Sequence, residues 1–277
     1  MGWHGRLALH YRLDGQGGTT AHDRHEGPLR VLQRLYPEGP RVCHHVLVHP
    51  PGGIVGGDVL EIHAQLDAGT HALITTPGAT RFYRSAGPEA LQAATLAVAA
   101  EARLEWLPLE TIAYSGCRAH NRLRFELAPG AQMIGWDVLA LGLPAADQAF
   151  DEGSFLQELV LPGTWLERGC IAASDRRLLD SPLGLAGHRV LGTAWFAAGA
   201  PLAPALREAL LDSARAHGAA GPLAATTGCT APQPPLVVLR VLGPRVEPVM
   251  QLLMAVRAGW RRAAWQLDEH APRVWRT

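Results

Sequence analysis

Apolar and polar residues alternate over short stretches through most of the chain, and glycine or proline separates each stretch from the next. In DVLEIHAQL (58–66), Leu60, Ile62, Ala64 and Leu66 fall on one side while Val59, Glu61, His63 and Gln65 fall on the other, the period of a half-buried strand. Runs of strand length also occupy 42–48, 71–76, 91–99, 103–107, 121–127, 131–141, 155–161, 189–196 and 236–242. Helical spacing is confined to the last third, at 202–217, which Gly218 stops, and at 246–266 after Pro244. The pattern predicts a mainly β protein of layered, mostly antiparallel sheets. It forms one elongated domain over 1–277, β-rich through residue 200, with two α-helices in 201–277.

A faint repeat runs through the β part. LDAGTHALI (66–74), VAAEARLEW (98–106) and LAPGAQMIG (127–135) share a form in which apolar positions flank a turn. Such a period suits sheet layers built from similar β-turn-β units stacked on one another. The most unusual stretch is HPPGGIVGGDVLEI (49–62), where two prolines and four glycines precede a strand. A phosphate loop would need a lysine and a hydroxyl after its last glycine, leading into a helix. Asp58 stands there instead, so the segment reads as a convoluted turn.

Composition narrows the functional classes. The chain has 277 residues, of which 48% are hydrophobic, enough for the core of one sizeable domain. Its 25 basic and 25 acidic residues balance, which argues against the cationic field of a nucleic-acid or anionic-membrane binder. No run approaches a membrane span, and the start carries no cationic leader with a long apolar core, so a cytoplasmic setting is expected. Every basic side chain is arginine. The absence of lysine excludes a Walker lysine, a Schiff base and a pyridoxal-phosphate anchor. Cys43, Cys117, Cys170 and Cys229 are widely spaced, as reduced thiols would be.

Thirteen histidines raise the question of a metal. His44 and His45 must point to opposite faces of a strand, so they do not join one site. Glu61 and His63 share a strand face close to Asp58, a set that a metal-dependent enzyme would use; a solvated strand face is the plainer alternative. No G-x-S-x-G elbow is present, and neither Ser115 nor Cys117 sits in a nucleophile signature. The block TTPGATRFYRS (75–85) combines hydroxyls, arginines and aromatics, suited to an anion, a partner surface or a packed turn.

Several blocks carry a resemblance that residue chemistry alone does not supply. GPLRV (27–31), YPEG (36–39), VCHHVLVHPPGGIVGGDVLEI (42–62), ALITTPGATRFYRS (72–85), LEWLPLETI (104–112), GWDVLALGLPA (135–145) and PRVWRT (272–277) together resemble the UreD family of urease accessory proteins, called UreH in some bacteria. The resemblance implies a non-catalytic scaffold of mostly β fold with two helices. It also implies binding to UreF, through it to the GTPase UreG, and docking on apo-urease. Nickel would be in transit, with no permanent cofactor, along an internal water-filled passage lined by acidic and polar groups. On motif position, Asp58 and Glu167 are the candidates for that passage, followed by Glu61 and, more weakly, Glu105, Glu110 and Asp137. Leu143 stands where many members carry arginine, so no role is carried over to it.

Overall fold

In the computed structural model, which describes residues 2–276, the faint repeat organises the middle of the β part. The strands in chain order are β1 (His4–Leu13), β2 (Thr19–Glu26), β3 (Arg30–Val31), β4 (Val42–Val48), β5 (Val59–Leu66), β6 (His71–Thr75), β7 (Thr80–Phe82), β8 (Ala90–Val98) and β9 (Arg103–Leu107). They continue as β10 (Thr111–Ala113), β11 (Cys117–Leu127), β12 (Gln132–Leu141), β13 (Gly153–Leu161), β14 (Trp165–Ala172), β15 (Val190–Ala198), β16 (Thr227–Gln233) and β17 (Leu236–Gly243). Three helices are present among the described residues: α1 (Arg176–Asp180), α2 (Pro204–Ala220) and α3 (Val246–Trp265). One sheet runs β14-β13-β11-β8-β5-β1-β2, and the second runs β16-β17-β15-β12-β9-β6-β4-β3.

Each repeat segment carries the chain from the first sheet to the second, as β5 to β6, β8 to β9 and β11 to β12. The chain then crosses back and repeats the move one strand further along. Strands laid down by such a coil run in the same direction, which is why β5 pairs in parallel with β8, β8 with β11, β6 with β9 and β9 with β12. The expectation of mostly antiparallel sheets is therefore corrected. Nine of the fifteen ladders among the described residues are parallel. Antiparallel pairing is left to β1–β2, β3–β4, β13–β14 and the β12-β15-β17-β16 end. The mainly β, layered character and both long helices stand as expected.

The three crossing turns are stacked. Ala99 N donates to Leu66 O at 3.0 Å, Ala128 N to Val98 O at 2.9 Å and Gly69 N to Ala100 O at 3.1 Å. Equivalent positions in the turns, Gly69, Glu101 and Gly130, all take a left-handed backbone, with φ of 74°, 59° and 83°. Two are glycine, for which this conformation is free of steric penalty. Glu101 adopts it against the preference of a residue with a β-carbon.

Inward positions of both sheets form one core, including Leu7, Ile62, Leu96, Phe125, Phe155 and Trp195. A second core lies on the outer face of the second sheet, where Trp136, Phe196 and Val241 pack under Leu210, Leu253 and Trp260 of α2 and α3. Among the described residues no helix is long and apolar enough to cross a membrane.

Charged groups are buried beneath α3. Glu105 on β9 is fully buried on the helix-facing side, where Arg257 Nε donates to its Oε2 at 2.6 Å and Arg261 Nη1 to its Oε1. Arg261 also pairs with Glu38, and His71 lies 3.2 Å from Glu105. Burial alone would raise the Glu105 carboxyl, but Arg257, His71 and Arg261 hold it well below the usual range. The C-terminal 3-10 turn Arg273–Arg276 is tied to the same region. Trp275 donates from Nε1 to Thr75 Oγ1 at 2.8 Å and lies beneath Arg257, 5.6 Å from its ring centroid.

Two outcomes are expected. Glu105→Gln leaves the buried Arg257 guanidinium without a countercharge and Arg261 with Glu38 alone, and should cost about 3–5 kcal/mol by denaturant unfolding. A carboxyl depressed in the folded state stabilises above its unfolded pKa and loses that contribution as pH falls, so the variant should also flatten the acid limb below the ordinary glutamate range of about 4.3. Glu101→Gly, which relieves the left-handed backbone, should raise stability by about 1 kcal/mol.

Candidate functional site

Strand alternation in a two-sheet sandwich sends every second residue into the space between the sheets, and nearly all of those residues here are apolar. One row across each sheet breaks the rule. On the first sheet, Gln92 of β8, Asn121 of β11 and Gln157 of β13 are register partners. On the second, Asp137 of β12, Thr193 of β15 and Arg240 of β17 are register partners in the same way. Each is in phase with inward apolar neighbours: Ala119 and Leu123 flank Asn121, Leu139 follows Asp137, and Val238 precedes Arg240.

The two rows meet. Asn121 Nδ2 donates to Asp137 Oδ2 at 3.1 Å and to Gln157 Oε1 at 3.2 Å, while Gln92 Nε2 donates to Asn121 Oδ1 at 3.3 Å. At the far edge, Glu167 of β14 pairs with Arg240 of β17, a second link between the sheets. The result is a band of amides and carboxylates crossing an apolar interior.

A cavity of about 360 Å³ leads to this band. His49, Pro50, Gly52 and Gly53 of the glycine corner line it, with Thr76 to Arg81 of the facing turn. Leu60, Ile62, Ile74, Trp106 and Leu123 form apolar walls, and Gln92, Asn121 and Asp137 supply polar ones. Two glycines of the corner, Gly53 and Gly56, are close-approach positions. A β-carbon at Gly53 would meet the Tyr83 ring at 2.0 Å, and one at Gly56 would meet Ser85 Oγ at 2.1 Å.

Asp137 lies deep in the molecule yet keeps an accessible face, because that face lines the cavity. Burial pushes its carboxyl up to about 6; the Gln157 and Asn121 amides temper the rise, and the charge of Glu167 adds to it. At neutral pH it is a carboxylate in a poorly solvated place. Its side-chain hydrogen bond comes from the Asn121 amide, with no cation supplied as partner.

The sequence candidates separate in space. Asp58 is 6% exposed, and both oxygens are occupied, Oδ1 by Trp3 N–H at 2.8 Å and Oδ2 by Val55 N–H at 3.0 Å. Its carboxylate pins the glycine corner beside the cavity without being part of the lining. Glu61 lies on the outer face of the first sheet, bound to His4 Nε2 at 2.7 Å and Arg6 Nε at 2.9 Å; those two groups hold its carboxyl low. His63 is exposed on that same outer face. The alternative of a metal-dependent enzyme using the face of Asp58, Glu61 and His63 fails on this geometry, since Asp58 turns into the corner and the other two face away. Among the described residues no group of three or more His, Cys, Asp or Glu converges as a metal cage.

Glu105 belongs to the ion network under α3, and Glu110 sits in the loop before β10. Asp137 and Glu167 alone of the candidates fall in the polar band. His44 and His45 do point to opposite faces, His44 toward Glu38 at 2.8 Å and His45 toward the Tyr11 hydroxyl at 2.8 Å. Asn121, Gln92, Gln157 and Arg240 were not among the sequence candidates. Their signal was available: each is a polar residue in phase with the buried side of its strand.

A carboxyl whose pKa is higher in the folded chain than in the unfolded one takes up its proton first in the folded state. Asp137 therefore favours folding as pH falls through about 6 and opposes it above. Asp137→Asn should raise stability at neutral pH by on the order of 2 kcal/mol and flatten the pH dependence between about 4 and 6, read by thermal unfolding across that range.

Comparison with known proteins gives the arrangement its context. The family model described as UreD urease accessory protein matches residues 4–276. Three proteins named urease accessory protein UreD are similar over the full length of both chains. That of Leptothrix cholodnii is 65% identical over 278 residues, that of Methylibium petroleiphilum 59% over 296 and that of Variovorax paradoxus 56% over 277. The role these names carry is accessory and not catalytic. The chain belongs to the UreD family of urease accessory proteins.

Proposed function

We propose that the chain serves urease maturation as a conduit, passing nickel through its interior toward apo-urease while held in a complex with UreF and, through UreF, with the GTPase UreG. The cytoplasm is the compartment this reading assumes. The observation that carries it is the polar band: amides and two carboxylates, Asp137 and Glu167, cross an otherwise apolar sandwich and begin at the end of a cavity.

The chemistry suits movement more than retention. A divalent ion leaving bulk water needs oxygen donors to replace part of its hydration shell, and it stalls if too many charged ligands converge. Here donors are spaced along a line, with the neutral amide oxygen of Gln92 ahead of Asn121 and Asp137, and that of Gln157 between them and Glu167. His49 at the mouth adds a nitrogen donor kept neutral by burial, which lowers its pKa, with the charge of Asp58 opposing that shift.

Placement decides which substitutions test transit. Asp58→Ala would free two backbone N–H groups and disturb the corner, so loss of function there reports on folding as well. Asp137→Asn combined with Glu167→Gln keeps size and hydrogen bonding while removing both charges. Co-expressed with UreF, UreG and urease, this variant should assemble as the parent does and activate urease about tenfold less well, the order of effect of a lost or weakened ligand contact. Undiminished activation by the assembled double variant would refute the conduit.

A further inference from the structure

We infer that Arg240 is a charge filter at the far end of the polar band: its guanidinium occupies Glu167 until an ion of higher charge displaces it, so divalent ions are admitted and monovalent ones are turned away. The inference rests on the transit reading above and adds to it a residue that sets which ions pass.

Arg240 stands out by position. Along β17, Leu236, Val238 and Leu242 share its inward phase and are apolar, so an arginine there breaks the alternation at one point. That point lies in register with Thr193 and, through it, with Asp137. The next register partner outward is Gly228 of β16, and the facing row ends on Gly169 of β14, the partner of Gln157. A β-carbon at either glycine would meet nothing within 4 Å. Both rows therefore end without side chains at the edge of the sandwich. The Glu167–Arg240 pair stands across the gap they leave.

Electrostatics supplies the selectivity. Glu167 is the last carboxylate of the band, and its charge is felt by Asp137 behind it. A sodium or potassium ion offers Glu167 no more Coulomb energy than the guanidinium already gives, and it gives up hydration as well. A divalent ion offers twice the energy at equal distance and, although water holds it more strongly, it can keep part of its shell while the carboxylate and amide oxygens of the band replace the rest. The pair must also be easy to break, or nothing would pass. Its side chains are 58% exposed for Arg240 and 31% for Glu167, so solvent screens it and holds it weakly. Arginine adds a further property, because it stays charged at every physiological pH and the filter does not switch off.

The test uses the chain co-purified with its partner, with nickel as the sole divalent ion and a chromogenic chelator as competitor. Arg240→Gln should bind Ni²⁺ about five- to tenfold tighter than the parent, because Glu167 is released and a repelling charge removed. Its binding should become sensitive to replacing choline chloride by potassium chloride at equal ionic strength, which the parent's is not. Arg240→Lys should remain within about twofold of the parent, since it keeps the charge without the planar fork. Adding Glu167→Gln to Arg240→Gln should erase the gain. An unchanged affinity in Arg240→Gln, or a gain that persists in the double variant, overturns the filter. If Asp137→Asn with Glu167→Gln stops urease activation while Arg240→Gln binds as the parent does, the filter falls and the conduit stands. If the carboxylate pair proves dispensable, the conduit falls first and the filter with it.

Discussion

Between two packed sheets a polar side chain has no water to fall back on, and this constraint shapes the rest of the molecule. Sheets about 10 Å apart leave room for side chains from both inner faces and little else. A polar group placed there must find its partner on the opposite sheet or in a cavity. Asn121 shows how the chain meets the demand, giving one amide proton to Asp137 across the gap and another to Gln157 on its own sheet. The polar band holds together through Asn121, which bonds to Gln92, Asp137 and Gln157, and Asp137 keeps an open side toward the cavity.

The same constraint is handled differently under α3. Glu105 is fully buried and closed in by two arginines and a histidine, so its charge is locked in place. Asp137 and Glu105 lie on neighbouring strands, β12 and β9, and on opposite faces of one sheet. One carboxylate is neutralised by cations and serves architecture. The other has no cation beside it and keeps its carboxylate open on the cavity side.

Much of the fold was legible in the sequence, and the errors have a common cause. Strands with one apolar face, such as 58–66 and 103–107, were placed to within a residue, because period two is unambiguous when the other face is polar. β2, which reads TTAHDRHE, and the proline-interrupted β16 carry too little apolar signal to be read as strands, and β14 exposes Leu166 and Cys170 along an edge. Strand direction was missed because alternation reports faces and says nothing of neighbours; only the repeat at 66–74, 98–106 and 127–135 held that information. Of the site, Asp137 and Glu167 were within reach by motif position. Asn121, Gln92, Gln157 and Arg240 called for a different question, namely which polar residues share phase with a buried face. Glu61 and His63 attracted attention by their chemistry, yet they lie in phase with the solvent.

The stacked turns at Gly69, Glu101 and Gly130 bear on how such a chain can vary in length. Each coil must deliver its inward residues at the same height as the coil before it, or the hydrogen-bond ladder of the parallel sheets is lost. A single residue gained or lost inside β8, β11 or β12 would rotate the remainder of that strand by half a turn and send Gln92 or Asn121 out into solvent, or Asp137 into the apolar layer under the helices. Growth and shortening are thereby confined to the return segments between sheets, so the interior can stay fixed while the outer loops are remodelled to suit different companions.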